Sequence, residues 1–79
     1  MAKMTKGVLA RDGDEDSNVI FFPNADKKAI RKNHSTKRWY NEKRIGVKPY
    51  HEWPPIKWKA EYDLPMPRKG MAFEAEIEL

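Results

Sequence analysis

Apolar and polar residues alternate most clearly near the end of the chain, in two segments. In residues 56–64, five apolar residues alternate with four charged ones, which is the period of a half-buried strand. Residues 73–79 alternate in the same way, with glutamate at every second position. Residues 65–70 contain two prolines and a glycine, which is typical of a loop. The pattern predicts a C-terminal antiparallel hairpin over residues 56–79, with Lys57 and Lys59 facing the glutamates of the last strand.

A second hairpin is predicted at the start of the chain. Residues 7–11 and 18–22 are rich in β-forming residues, and residues 12–17 between them are mostly acidic and begin with Asp-Gly, a strong turn signal. The sequence therefore predicts a hairpin with an acidic loop in residues 1–23, which ends at Pro23. Residues 19–22 are apolar on both faces of this strand, so the pattern does not identify the buried face.

The segment between the two hairpins has the pattern of a short basic helix. At 100° per residue, four basic side chains of residues 25–33 lie on one side and Ala25, Ala29 and Ile30 on the other. Asn24 is the predicted N-cap, because its side chain can accept hydrogen bonds from the first amides of a helix. The sequence therefore predicts a capped amphipathic helix at the start of a basic helical segment, residues 24–46.

The helical pattern breaks near residues 33–36, because continuing it would place Lys37 on the apolar side. A second helical turn or short helix is then predicted to carry Trp39 and Tyr40 and to end at Gly46. Arg38 and Glu42 have the i, i+4 spacing of an ion pair on such a helix.

Prolines mark residues 47–55 as a connector. Three prolines between residues 48 and 55 exclude a helix and favour an extended path, which Tyr50 and Trp53 are expected to anchor. Together the segments predict a small single α+β domain. Its expected core contains eight residues: Val19, Phe21, Ile30, Ile56, Trp58, Tyr62, Phe73 and Ile77.

Length and composition limit the possible classes of protein. A chain of 79 residues forms one domain at most and buries only roughly 60% of the surface that it exposes when unfolded. It contains no cysteine, so disulfides and thiolate zinc sites are excluded, and we expect a cytoplasmic or other reducing compartment. The longest apolar run, residues 19–23, is far shorter than the ~20 residues of a membrane span.

Charge is concentrated in the middle of the chain. The net charge of +4 comes from residues 27–50, which carry nine basic groups and one acidic group, whereas each flanking third is slightly negative. A local field of one sign between mildly opposite ends is typical of a surface that attracts anions.

Catalytic and metal chemistry have little support in the sequence. The only serines are Ser17, in the acidic loop, and Ser35, beside His34, and sequence neighbours do not face each other on a helix. Residues 12, 14 and 16 match the first ligand positions of a calcium loop, but position 12 of that loop would be Pro23, which has no side-chain oxygen. We therefore expect a non-enzymatic protein without a metal or cofactor, and an acidic hairpin tip able to contact a basic partner.

The basic segment is the strongest candidate for function. Lysine and arginine gain affinity for phosphates by releasing counterions, and aromatic faces stack on unpaired bases. We expect nucleic acid, RNA or an RNA-protein particle, to bind twelve residues: Lys27, Lys28, Arg31, Lys32, His34, Lys37, Arg38, Trp39, Tyr40, Lys43, Arg44 and Lys48.

Three other interpretations stay open. The basic residues also suit a merely solvated face, and Trp39, Tyr50 and Trp53 also suit a core. The proline content and small core are equally consistent with an accessory subunit of a large protein or ribonucleoprotein assembly. A phage-type effector that inhibits a host protein is the third alternative.

Overall fold

The computed structural model describes residues 4–44, 50–62 and 65–78. Its strands and helix follow one another as β1 (Met4–Arg11), β2 (Val19–Pro23), β3 (Ile30–Lys32), β4 (Trp39–Asn41), β5 (His51–Trp53), α1 (Pro55–Glu61) and β6 (Ala72–Glu78). Two 3₁₀ turns, Lys27–Ala29 and Glu42–Arg44, flank the pair of strands β3 and β4. Antiparallel strands with one short helix confirm the α+β class that the sequence predicts.

Four strands form one antiparallel sheet in the order β5-β2-β1-β6, and β3 and β4 form a separate hairpin. Strand β1 is central, because it pairs with β2 from Gly7 to Arg11 and with β6 from Met4 to Ala10. Strand β5 extends the sheet beyond β2, opposite residues 19–21. The sheet edges within the described residues are therefore the three-residue β5 and the seven-residue β6.

Both faces of β1 and β2 are buried. On one face Val8, Ile20 and Phe22 form a cluster with Ile30, and Trp39 packs against it, so the β3–β4 hairpin covers this face. On the opposite face a second set of buried residues packs together: Leu9, Val19, Phe21, Trp58 and Ile77. The chain thus forms three layers, with the hairpin on one side of the sheet and α1 on the other, which explains why residues 19–22 are apolar throughout.

The prediction of the first hairpin is confirmed, and the prediction of the connector is confirmed in part. Strands β1 and β2 flank the acidic loop, and Pro23 is the last residue of β2. The connector is extended at β5, where Tyr50 and Trp53 anchor it as expected. The Tyr50 ring centroid lies 5.7 Å from that of Phe22, and that of Trp53 lies 5.2 Å from that of Trp58. Pro55 is the first residue of α1, so the expectation that the prolines exclude a helix is wrong at that position. Residues 47–49 lie outside the described residues.

The predicted basic helix over residues 25–33 is wrong. Only the single 3₁₀ turn Lys27–Ala29 forms, and the chain then enters β3. A helix of nine residues is marginal on its own, and the apolar face of β1 and β2 needs a cover. The β3–β4 hairpin provides that cover through Ile30 and Trp39, so tertiary packing overrides the helical pattern. The cap is Asp26, whose Oδ1 accepts from the Lys28 amide at 3.0 Å.

Three further local predictions in the middle segment also need correction. Asn24 is not a helix cap, and its backbone has a left-handed conformation with φ of 58°. Trp39 and Tyr40 lie in β4 and not in a helical turn. Arg38 pairs with the acidic loop, whereas Glu42 pairs with Arg31, because a strand places Arg38 and Glu42 apart. Gly46, the predicted helix end, lies outside the described residues.

The predicted strand over residues 56–64 is wrong as well, because Pro55–Glu61 is helical. Proline at the first helical position loses no hydrogen bond, since that amide has no partner in a helix. The Trp58 amide then donates to the Pro54 carbonyl at 3.0 Å, which forms the first helical turn. The alternating pattern also places Trp58 and Tyr62 four residues apart, and their rings stack with centroids 4.3 Å apart. Residues 63 and 64 lie outside the described residues.

The last predicted strand exists, but its predicted partner is wrong. Strand β6 pairs with β1, so there is no hairpin between residues 56–64 and 73–79. Lys57 and Lys59 lie on α1 and do not face the glutamates of β6. The residue across from Glu76 is Lys6 of β1.

The predicted core is mostly confirmed. Val19, Phe21, Trp58 and Ile77 are fully buried, and Ile30 is 4% exposed. Tyr62 is half-buried against the same cluster. Two of the eight predictions are wrong: Ile56 is 79% exposed and Phe73 is 38% exposed. Ile56 is exposed because α1 turns only one side to the sheet, the side that carries Trp58.

Candidate functional site

The basic residues of the middle segment lie on and around the β3–β4 hairpin, and the pairing of the two strands divides them. Lys32 lies across from Trp39, and Ile30 across from Asn41, on the side that packs on the sheet. Arg31 lies across from Tyr40 on the opposite, outward side. The residues that the sequence grouped as one helix face therefore divide into an inner and an outer group.

The inner group is centred on Trp39. Its backbone amide donates to Asp12 Oδ1 at 3.0 Å, and its indole Nε1 donates to the Arg11 carbonyl at 3.0 Å. The Nζ atoms of Lys27 and Lys32 lie 6.0 and 5.6 Å from the indole centroid, within cation–π distance. Trp39 therefore joins the hairpin to the sheet and does not present a free ring, so the core interpretation of Trp39 fits the structure better than base stacking.

Lys32 has a further structural contact. Its Nζ donates to the Gly70 carbonyl at 3.2 Å, which links the hairpin to the turn before β6. Because the amine also lies over the Trp39 ring, this lysine is less available to a ligand than the sequence indicates.

The outer group consists of Arg31 and Tyr40, with Glu42 beside them. Arg31 Nε lies 3.4 Å from Glu42 Oε2, and both side chains are largely exposed. Exposed pairs of this kind contribute little to stability, so an incoming phosphate can compete with Glu42 for the guanidinium. Tyr40 is 39% exposed next to this pair and is the aromatic residue of the hairpin that solvent reaches best.

The turn between β3 and β4 carries His34, Lys37 and Arg38, and all three are exposed. The side chain of Asn33 stabilises the turn by accepting from the Ser35 and Thr36 amides at 2.8 and 3.1 Å. Lys37 has a left-handed backbone with φ of 63°. The turn therefore holds cationic side chains at the tip of an ordered hairpin.

The acidic loop folds against this turn. Arg38 Nε donates to Asp14 Oδ2 at 2.9 Å, and Asp16 lies 3.8 Å from the same guanidinium. The Gly13 amide donates to the Lys37 carbonyl at 2.7 Å. The hydrogen bond from Arg38 lowers the pKa of Asp14, and Asp14 in turn raises the pKa of Arg38. The loop thus neutralises part of the basic segment, which the sequence pattern did not predict.

The side chains of Lys28, Lys37 and Lys43 are exposed and form no ion pair with any described residue. Lys28 lies in the 3₁₀ turn before β3, and Lys43 lies in the 3₁₀ turn after β4. For Arg44 the structure describes only the backbone, in that second turn, and Lys48 is outside the described residues. The three lysines and the outer group are the part of the predicted site that stays open to a ligand.

Sequence reasoning missed the buried Asp12, which is 1% exposed. Asp12 directly follows β1, and its carboxylate accepts a hydrogen bond from the Trp39 amide. This bond connects the sheet to the hairpin. Burial raises the pKa of Asp12 to about 6, although the hydrogen bond from Trp39 acts in the opposite direction. No local signal marks this residue, because its burial depends on the hairpin that packs on it.

Within the described part of the chain, no group of three or more histidine, cysteine or carboxylate side chains is arranged to hold a metal ion. Two acids of the loop that partly matches a calcium motif accept hydrogen bonds from backbone amides. Asp12 accepts from Trp39, and Asp14 accepts from Ser17. Among the same described residues, none forms an apolar helix of the length that a membrane crossing requires.

Comparisons with known proteins returned no match from family models, from curated proteins or from solved structures.

Proposed function

We propose that this protein is a non-enzymatic module that binds the phosphate backbone of nucleic acid, RNA or an RNA-protein particle, through the β3–β4 hairpin. The observation that carries the proposal is the placement of Lys28, Lys37 and Lys43 around one hairpin, each exposed and without an ion pair to a described residue. Exposed amines without an ion pair can neutralise phosphates and so release the cations condensed on the nucleic acid, which drives binding.

The outer group adds a second kind of contact. The Arg31 guanidinium, at 60% side-chain exposure, can turn from Glu42 to a phosphate, and the neighbouring Tyr40 ring can stack on an unpaired base. His34 lies in the adjacent turn and is exposed, so its ring nitrogens can reach the same ligand. Because Trp39 is held by its own hydrogen bonds, base stacking is limited, and we expect binding with little sequence preference.

The direct test is the dependence of binding on salt. Labelled mixed-sequence RNA and single-stranded DNA are titrated with the protein at increasing salt, and binding is followed by fluorescence anisotropy. Each phosphate contact contributes about −0.7 to the slope of log affinity against log salt on single strands. Replacing Lys28, Lys37 and Lys43 with glutamine should therefore reduce the magnitude of the slope by about 2.

A matched control removes the same charge elsewhere. Lys57 and Lys59 on α1 and Lys69 in the turn before β6 are also exposed lysines, and replacing all three with glutamine should leave the slope nearly unchanged. Equal slopes for the two triple variants, or binding by the wild type that does not respond to salt, would contradict the proposal. A stable protein complex that survives nuclease treatment would instead favour an accessory subunit or a phage-type effector.

A further inference from the structure

Strand β6 forms an edge of the main sheet in the part of the chain that the structure describes. Among the described residues no strand pairs on its outer side, and β6 is seven residues long, whereas the opposite edge strand β5 has three. An edge of this length presents a row of backbone donors and acceptors to which another chain can pair. The β6 edge is thus a surface, separate from the hairpin, to which another chain can pair.

The hydrogen bonds of β1 identify which β6 residues face outward. The Arg11 amide donates to Met71, toward β6, whereas the Asp12 amide donates to the Asn18 carbonyl, on the β2 side. Because backbone directions alternate along a strand, the odd-numbered residues of β1 and β6 bond to each other. The even-numbered residues of β6 therefore point their amides and carbonyls to the open edge: Ala72, Glu74, Glu76 and Glu78.

One end of this edge is already occupied. The Tyr62 hydroxyl donates to the Glu78 carbonyl at 2.8 Å, which agrees with the outward direction of the even-numbered residues. The backbone groups of Ala72, Glu74 and Glu76 form no such side-chain hydrogen bond with the described residues. About five residues of an added strand can therefore pair along this stretch.

Charge determines which strand fits. The side chains of Glu74 and Glu76 are exposed on the same face of β6 and form no ion pair with a described residue. In an antiparallel pair of two β6 strands, outward-facing residues would meet each other, so glutamate would lie across from glutamate. Like charges directly opposite destabilise a sheet, and opposite charges stabilise it. A second copy of this chain is therefore disfavoured, and a basic strand is favoured.

The glutamate face of β6 borders an open depression of about 610 Å³ that extends inward over β1, and its lining includes Lys6, Asn24, Ala25, Glu74 and Glu76. Lys6 lies across from Glu76, so the two glutamates outnumber the one basic side chain on this part of the face. Lysine or arginine at alternate positions of an added strand would lie beside Glu74 and Glu76 while the strand backbone pairs with β6. We propose that the β6 edge binds an extended segment of a partner protein with basic residues at alternate positions, by addition of an antiparallel strand.

The first test measures backbone pairing in the intact wild-type chain. The probe is a synthetic peptide of about nine residues with lysine at alternate positions and threonine between, a length that forms one strand. Amide hydrogen exchange with and without the peptide should slow at Glu74 and Glu76, by at least about tenfold at saturation. The amides of Phe73 and Ala75 already bond to β1, so they should change much less. Unchanged exchange at Glu74 and Glu76 in the presence of excess peptide would overturn the proposal.

The second test reverses the charge of the edge. Glu74→Lys and Glu76→Lys together should lower affinity for the lysine peptide by about tenfold and should create binding of the corresponding glutamate peptide. The matched control is Glu15→Lys with Glu61→Lys, which makes the same change in net charge at exposed positions away from the edge. Equal affinities for both variants would show attraction to net charge alone and would refute strand addition, as would dimerisation of the wild type through β6.

Discussion

Burial of Asp12 predicts that this protein is more stable when that carboxyl group is neutral. Burial is the main reason that the pKa of Asp12 rises from its ordinary value of 3.8 to about 6 in the folded chain. Asp14 and Glu52 raise this pKa further, while the Trp39 amide and Arg38 lower it. A difference of about 2 pH units corresponds to roughly 3 kcal/mol between the charged and neutral forms.

The sign of the pH dependence follows from the direction of this shift. The folded chain holds the Asp12 proton more tightly than the unfolded chain, so this group adds stability as pH falls from about 6 to 3.8. The added stability is complete below the unfolded pKa and is lost as pH rises through the folded pKa. Asp14 acts in a separate window, because Arg38 lowers its pKa, and its contribution is lost only at pH below 3.8.

Asp12→Asn is the perturbation that tests this reasoning. Asparagine keeps an oxygen that can accept the hydrogen bond from the Trp39 amide, and it removes the charge. Its own side-chain NH₂ group needs a partner, and this need reduces the gain in stability by about 1 kcal/mol. We expect the variant to unfold with a free energy about 1–2 kcal/mol higher than the wild type at neutral pH. The difference should decrease to zero or below near pH 4, where the wild-type carboxyl is also neutral.

Urea unfolding followed by tryptophan fluorescence at pH values from about 4 to 7 measures this difference. Groups that titrate equally in both proteins cancel in the comparison. Asp16→Asn is the control, because Asp16 is an exposed acid of the same loop, and its effect should stay within about 0.5 kcal/mol. If Asp12→Asn is less stable than the wild type at neutral pH, or if the difference does not change with pH, the proposed burial of a charged carboxylate is wrong.

Two positions in the sheet and its cover give further predictions. Gly7→Ala should destabilise the fold by about 2–3 kcal/mol in urea unfolding, because the added Cβ would collide with the Phe22 carbonyl oxygen and lie 2.8 Å from Phe21 Cζ. A loss of less than about 0.5 kcal/mol would contradict this packing. Trp58→Phe should lower the free energy of unfolding by only about 1 kcal/mol, since it also removes an indole N–H that has no acceptor among the described residues. Trp58→Ala should lower it by about 4 kcal/mol, and equal losses for the two variants would show that ring packing does not hold α1 on the sheet.

The strands that the sequence predicted best are those whose pattern has one interpretation. Residues 7–11 and 18–22 lie on either side of a strong turn signal, and the structure places β1 and β2 there. Residues 73–79 alternate strictly, and β6 covers nearly the same range. The pairing of β6 with β1 was not predictable in this way, because the alternation identifies a strand and leaves its neighbour open.

Two of the wrong predictions, the helix over residues 25–33 and the strand over residues 56–64, arose where one pattern fits two structures. Residues 56–64 alternate, yet the same spacing sets Trp58 and Tyr62 one helical turn apart, and proline at the start of α1 favours the helix. Residues 25–33 have a helical pattern, yet Ile30 is also correctly placed to enter a strand that covers Val8 and Phe22. In both places the choice depends on which surface needs covering, and that surface comes from residues distant in sequence.

The basic character of the candidate site was predictable, and its pairing was not. Charge counting found the lysines and arginines of residues 27–44 without any fold. The partner of Arg38 is Asp14, which lies 24 residues earlier in the chain and meets it only because the hairpin packs on the sheet. The same packing holds Trp39 against Arg11, which gives Trp39 a structural contact that charge counting could not show.

The acidic residues differ in their availability, and this difference connects the two proposed surfaces. Asp14 forms an ion pair with Arg38 and so links the acidic loop to the basic hairpin. Glu74 and Glu76 form no ion pair with a described residue and lie along an open strand. A ligand that is only a polyanion would use the hairpin and be repelled by β6. An assembly of nucleic acid with basic protein segments offers a complementary charge to both surfaces at once, so we favour such an assembly over free nucleic acid as the partner.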